Sequence, residues 1–175
     1  MPENLQFVSF YLDRFLYGFD IRIIKEVNPT LEISPVPRTP PHIRGLVNIR
    51  GQVVLVMDIA VTFGRSPRPI TSESKIIILK TDAELRKVRD YESVRTYSLA
   101  GDKPVGLLVD KIGDVISIPR LDLEAAPHHL EELRARYFFG VARIEGELLM
   151  ILDAGKLLSD SPATAFVSSV GLRSE

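Results

Sequence analysis

The sequence predicts a mainly β protein built from two related β units, each the size of a small barrel. Three observations carry this. Short runs of β-branched and aromatic residues alternate with Gly, Pro and Asp turn positions along most of the chain. One hairpin motif occurs twice at a fixed spacing. Several strands are apolar at nearly every residue, so both of their faces need cover.

In chain order, residues 6–12 (Gln-Phe-Val-Ser-Phe-Tyr-Leu) read as a first strand. Asp13-Arg14 reads as a turn into a second, Phe15–Phe19. Residues 20–27 have the spacing of one or two helical turns. Asp20 would be the N-cap, and Ile21, Ile24 and Val27 would share a face. Pro29, Pro35, Pro37, Pro40 and Pro41 then force an extended or looped segment, because proline suits neither a helix interior nor a central strand. Leu46–Ile49 and Val53–Met57 form a hairpin with Gly51 at its tip. Lys75–Lys80, Val94–Leu99, Val105–Val109 and Val115–Ile118 read as further strands. Leu130, Leu133 and Tyr137 fall on one face of a helix over His129–Tyr137. A final hairpin, Val141–Ile144 with Leu148–Leu152, leads to a short helix over 153–158 and a frayed tail from Asp160.

The two hairpins align. Gly45 matches Gly140, Ile49 matches Ile144, Gly51 matches Gly146 and Asp58 matches Asp153, always 95 residues apart. A tight turn needs a positive φ, which explains glycine at both tips. A weaker match sets Gly18–Val27 beside Gly106–Val115, 88 residues apart. About five short strands per unit suits a small barrel, which closes to remove exposed edges. One face of each doubly apolar strand would fill a barrel. The other would pack on the second unit or on another protein.

Composition narrows the function. Hydrophobic residues make up 45% and charged residues 26%, which fits a packed domain rather than a disordered chain. A net charge of −1 supplies no global attraction to nucleic acid or to an acidic bilayer. With no cysteine, thiolate metal sites, disulfides and cysteine nucleophiles are excluded. The start lacks a basic segment followed by an apolar one, so a cytoplasmic protein without membrane insertion is expected. His42, His128 and His129 do not suggest a metal site, because adjacent histidines diverge in direction. Asp20, Asp58, Asp110 and Asp153 end apolar runs, where caps and turns explain them better than acid–base chemistry. No phosphate-cradling or nucleophile-elbow motif is present. No catalytic residue, cofactor or metal is expected, and the chain reads as a non-enzyme. A nucleic-acid-binding barrel is the main rival, resting on the Arg-rich spots Arg65–Arg68 and Arg86–Arg89.

Gln-Phe-Val-Ser-Phe-Tyr-Leu followed by Tyr-Gly-Phe-Asp-Ile, and the stretch from Pro41 to Asp58, resemble the bacterial chemotaxis coupling-protein (CheW-like) family. Val105–Asp110 and Tyr137–Leu158 are similar to its second half, so the resemblance spans residues 6–158. It implies two intertwined five-stranded SH3-like barrels around a shared apolar core, within a domain over 1–159. It also implies an adaptor that joins the cytoplasmic tip of a chemoreceptor to the regulatory domain of a histidine autokinase of the same fold, with self-association possible. One departure is the charged insertion Thr81–Arg95, where the family usually turns tightly. It reads as a solvated loop, or else as a helix that docks on a partner, and it leaves open a pathway other than chemotaxis.

The resemblance assigns Ile24, Glu26, Val27, Gly106 and Val115 to a receptor groove between the units. By residue type alone, Ile24, Val27 and Val115 read as core and Glu26 as a solvated charge. Arg50, Val53 and Leu55 fall on a kinase-facing hairpin, together with Met57. A turn arginine is commonly solvated, yet its planar fork on a rigid hairpin also suits a bidentate contact across an interface. Of the apolar residues on this hairpin, only those outside the core can reach a partner.

Overall fold

A computed structural model describes residues 3–29, 32–89, 103–126 and 136–159. Among them are ten strands: β1 (Asn4–Leu12), β2 (Phe15–Asp20), β3 (Ile24–Pro29), β4 (Ile43–Ile49), β5 (Gln52–Asp58), β6 (Lys75–Leu79), β7 (Val105–Val109), β8 (Lys111–Pro119), β9 (Phe138–Ile144) and β10 (Glu147–Leu152). Three short helices accompany them: α1 (Ile59–Thr62), α2 (Asp82–Leu85) and α3 (Ala154–Ser159). The strand expected at Val94–Leu99, most of the helix expected at His129–Tyr137 and the tail from Asp160 lie outside the described residues.

The strands form two five-stranded sheets, ordered β8-β1-β2-β10-β9 and β3-β6-β7-β5-β4. Adding five to each of β1–β4 and β5 in the first half of the chain gives its counterpart in the second, and this exchange converts one order into the other. Each sheet therefore takes two strands from one half of the chain and three from the other. The register repeats too. Ile151 lies beside Gly18 in the parallel pair of the first sheet, and Val56 lies beside Gly106 in the second. Between the two pairs, Ile151 and Val56 are 95 residues apart and Gly106 and Gly18 are 88 apart, the two spacings visible in the sequence.

Each sheet is closed by the segment that follows one of its edge strands, β3 or β8. Beyond β3, Ser34 and Leu46 exchange backbone hydrogen bonds of 2.8 and 2.9 Å across β4. Beyond β8, Glu124 and Val141 do the same across β9, both at 2.9 Å. These contacts explain the paired glycines. A Cβ on Gly45 would lie 2.2 Å from the Ser34 carbonyl oxygen, and one on Gly140 would lie 2.9 Å from that of Glu124. A side chain at either position would obstruct the closing segment.

Alternation along the strands divides the apolar residues among three cores. Leu5, Phe7, Leu149 and Ile151 fill the first barrel. Val47, Val54, Val56, Ile76 and Ile78 fill the second. The opposite faces of the same strands, with Val8, Phe10, Leu55, Met57, Ile77, Leu79, Met150 and Leu152, meet in a shared core between the barrels. Aromatic rings cross this seam. Phe19 stacks on Phe10 at 5.3 Å, Phe10 on Tyr17 at 5.9 Å, and Tyr17 on Phe63 at 5.7 Å. Doubly apolar strands thus have both faces covered from within the chain, and the shared core is the largest reserve of hydrophobic stabilisation.

Three expectations change. Asp20 does cap a turn, accepting from the Arg22 amide at 2.9 Å, but the turn is a single 3-10 turn over Ile21–Ile23. From Ile24 the chain is strand, because pairing with β6 and burial of Ile24 overrule the three-residue apolar spacing. Strand β8 runs from Lys111 rather than from Val115. The described part of the insertion, 81–89, is no solvated loop. It begins with α2, capped reciprocally by Thr81 and Glu84, and it sends Leu85 into the chain's own shared core with Val88 packed against it.

Candidate partner-binding site

The β4–β5 hairpin turns on two residues with positive φ, Arg50 at 55° and Gly51 at 82°. Glu145 and Gly146 turn the β9–β10 hairpin in the same way. Both are two-residue turns whose twist matches that of the flanking strands. Asn48 braces the first, its side-chain oxygen accepting from the Gly51 amide at 2.9 Å. The Arg50 side chain is 76% exposed, and its guanidinium meets the Glu26 carboxylate at 2.8 Å. Glu26 also accepts from the Asn28 side-chain amide at 2.8 Å. Strands β3 and β4 are the two edges of the second sheet, so this ion pair spans its closure. It brings together two residues that the resemblance assigned to different surfaces.

The remaining assigned residues separate by burial. Val27 and Val115 occupy corresponding positions on the edge strands β3 and β8 and are 37% and 54% exposed. Ile24 is buried in the shared core beside Leu79. Gly106 faces the interior of the second barrel, where a Cβ would lie 2.6 Å from Ile76 Cγ2. Its place in the groove is corrected to a spacing role, since it leaves room for Ile76 and Val54. On the hairpin, Val53 is 54% exposed, but Leu55 is 3% exposed and Met57 is also buried in the shared core. Leu55 is therefore corrected to a core residue: it shares a face with Val53 but lies further from the hairpin tip, where the shared core covers that face. Arg50, Glu26, Val27, Val53 and Val115 remain available at the surface.

The structure adds charged clusters that spacing did not reveal. Lys25 of β3 pairs with Glu84 of α2 at 3.0 Å. Burial opposes the charged form of Glu84. Hydrogen bonds from the Thr81 backbone, Lys25 and the Thr81 hydroxyl, with the Lys25 charge, outweigh burial and lower its pKa. A second cluster joins the barrels. Arg68 contacts Asp13 in the β1–β2 turn and Asp110 in the β7–β8 connection, the latter at 3.1 Å. Arg65 meets Asp13 at 2.6 Å. Asp58, fully buried, caps α1 through the Ala60 amide and accepts from Arg44 at 3.1 Å. A cleft of about 540 Å³ lies beside Arg68, walled also by Tyr11, Arg14, Thr71, Glu73 and Lys111. The partners of these charges are distant in sequence, so no local motif announces them.

Among the described residues, no group of three or more His, Asp or Glu side chains is placed to hold a metal ion. The ring of His42 titrates below its usual range because of burial. His128 and His129 lie outside the described residues. No helix among the described residues is long and apolar enough to cross a membrane.

Comparison with known proteins gives a consistent result. The chain is 28% identical over 157 residues to the chemotaxis protein CheW of Treponema pallidum, covering 90% of this chain and 84% of that protein. It is 27% identical over 165 residues to the chemotaxis protein CheW of Klebsiella aerogenes, covering 94% and 87%. The crystal structure of the scaffolding protein TtCheW from Thermoanaerobacter tengcongensis superposes with a TM-score of 0.70 at 27% identity, over 90% of this chain and 89% of that one. The family model described as the CheW-like domain matches residues 6–161, which include both barrels, their shared core and the hairpin that carries Arg50. The chain belongs to the CheW-like family.

Proposed function

We propose that this protein is a cytoplasmic, non-catalytic adaptor that couples the cytoplasmic tip of a chemoreceptor to the regulatory domain of a histidine autokinase. The observation that carries this reading is the Arg50–Glu26 pair. It ties the exposed β4–β5 hairpin, where a kinase would dock beside Val53, to the exposed edge strand β3, where a receptor would dock beside Val27. The adaptor's work is geometric. It holds its two partners in register, and it biases the kinase only through contacts that differ between signalling states. The ion pair is one physical link through which occupation of one surface alters the other, because a partner that engages Arg50 competes directly with Glu26.

The test is a pull-down from the host's cytoplasm with purified wild-type chain and the Arg50→Glu variant. Wild type is expected to retain a histidine kinase and a chemoreceptor. The variant is expected to lose retention while keeping its thermal transition, since the Arg50 side chain is largely exposed. An unfolded variant makes Arg50 structural. Retention of nucleic acid in place of both partners, falling steeply with salt, would refute the adaptor reading.

A further inference from the structure

The connection between β6 and β7 is much longer than the fold requires. Its counterpart, between β1 and β2, is made by two residues, Asp13 and Arg14. Between β6 and β7 the chain runs from Lys80 to Pro104. A connection longer than about 12–15 residues in a small domain is usually functional or disordered. The described part, 81–89, is ordered onto the protein by three devices: the Thr81–Glu84 capping box, the burial of Leu85 and the packing of Val88. Its exposed positions then carry Arg86, Lys87 and Arg89. None of the ion pairs among the described residues uses these three side chains. The chain's net charge is −1, so the cluster is local rather than part of a generally basic surface.

The segment also has a defined neighbour. Glu84 is engaged by Thr81 through one carboxylate oxygen and by Lys25 of β3 through the other. That places α2 beside the exposed edge of β3. Lys25 and Val27 are both exposed on β3, on either side of Glu26. A partner lying along β3 over Val27 would meet a positively charged ledge formed by Arg86, Lys87 and Arg89, with Lys25 already paired to Glu84 and anchoring the segment.

We propose that residues 81–89, held against Lys25 of β3, are a docking ledge for an acidic protein segment on the partner that seats along β3. The inference rests on the adaptor reading and deepens it, because the ledge would select among receptor tips by their acidic residues. Rim charges of this kind act chiefly on encounter rate and partner choice and weaken with salt. The ledge therefore sets specificity, while Val27 and the Arg50–Glu26 pair belong to the common docking surface.

The experiment measures binding of the full chain to two purified fragments from the same host, a chemoreceptor signalling tip and the kinase regulatory domain. Wild type is compared with a variant carrying Arg86→Glu, Lys87→Glu and Arg89→Glu. All three positions are exposed, so the thermal transition should be unchanged. The expected result is an affinity for the receptor fragment lowered about tenfold or more at low salt, with a weaker salt dependence and unchanged kinase binding. Equal receptor affinity in wild type and variant overturns the ledge and leaves the adaptor reading standing. Equal loss of both fragments, or loss of nucleic-acid binding alone, also overturns it. A wild-type chain that binds neither fragment overturns the adaptor reading and the ledge with it.

Discussion

Replacing Gly45 by alanine puts a Cβ 2.2 Å from the Ser34 carbonyl oxygen and 2.8 Å from its carbon, both backbone atoms. Gly45 also has φ of 140°, where an L side chain is strained. Two penalties follow. The backbone strain costs about 1–3 kcal/mol. The Ser34–Leu46 bridge must yield, losing two hydrogen bonds worth about 0.5–1.5 kcal/mol each net. Together they come to about 2–6 kcal/mol, a large share of the ~5–15 kcal/mol that stabilises an ordinary domain. Gly140 is the internal control. It occupies the corresponding place in the other barrel, but the approach there is 2.9 Å to the Glu124 carbonyl oxygen, a milder backbone clash, and Gly140 has no positive φ to strain. Gly140→Ala should cost about 1–2 kcal/mol. Urea denaturation followed by circular dichroism measures both, provided that the slopes of the two variants agree. If Gly45→Ala costs no more than Gly140→Ala, the closing bridge does not constrain that glycine and the account of barrel closure is wrong.

Other perturbations test the division between core and surface. Leu55→Ala should lose about 2–5 kcal/mol, since Leu55 lies in the shared core, whereas Val53→Glu should leave stability within about 0.5 kcal/mol and weaken binding of the kinase fragment. Thermal denaturation with a binding titration separates them, and equal destabilisation by both would contradict the assigned burial. Glu84→Gln should destabilise the protein near neutral pH and lose that effect in acid. The folded-state pKa of Glu84 is depressed, so its contribution is full above the ordinary value of 4.5 and disappears as pH falls through the lower folded value. A difference in melting temperature between wild type and variant that does not change from pH 7 to pH 3 would mean that the Glu84 charge contributes nothing.

Much of the architecture was legible in the sequence because it repeats. Gly45 with Gly140 and Gly18 with Gly106 fixed the two spacings that reappear in the strand registers. Three things were not legible, each for a physical reason. A strand covered on both faces has no polar face to break the symmetry, so Val53, Leu55 and Met57 could not be divided between core and surface by pattern alone. Ile24 and Val27 share helical spacing by coincidence within a strand whose register shifts between Ile24 and Glu26. The ion pairs Arg50–Glu26, Lys25–Glu84 and Arg68–Asp110 join residues that only the folded chain brings together. Of the candidate site, the hairpin tip could be read from sequence, whereas Val27 and Val115, core by residue type alone, are exposed on the edge strands. The interior positions of Gly106 and Leu55 could not.

The exchange of strands between the halves has a mechanical consequence. Among the described strands, the chain passes from the first barrel to the second at the 3-10 turn after β2 and returns at Asp110, between β7 and β8. An arginine grips an aspartate at each passage, Arg22 on Asp20 at the first and Arg68 on Asp110 at the second. Two bodies tied by one thread can swivel in any direction. Tied by two, they can pivot easily only about the line through both ties. Displacing one barrel against the other must therefore strain both passages and disturb the aromatic stack and the shared core along the seam.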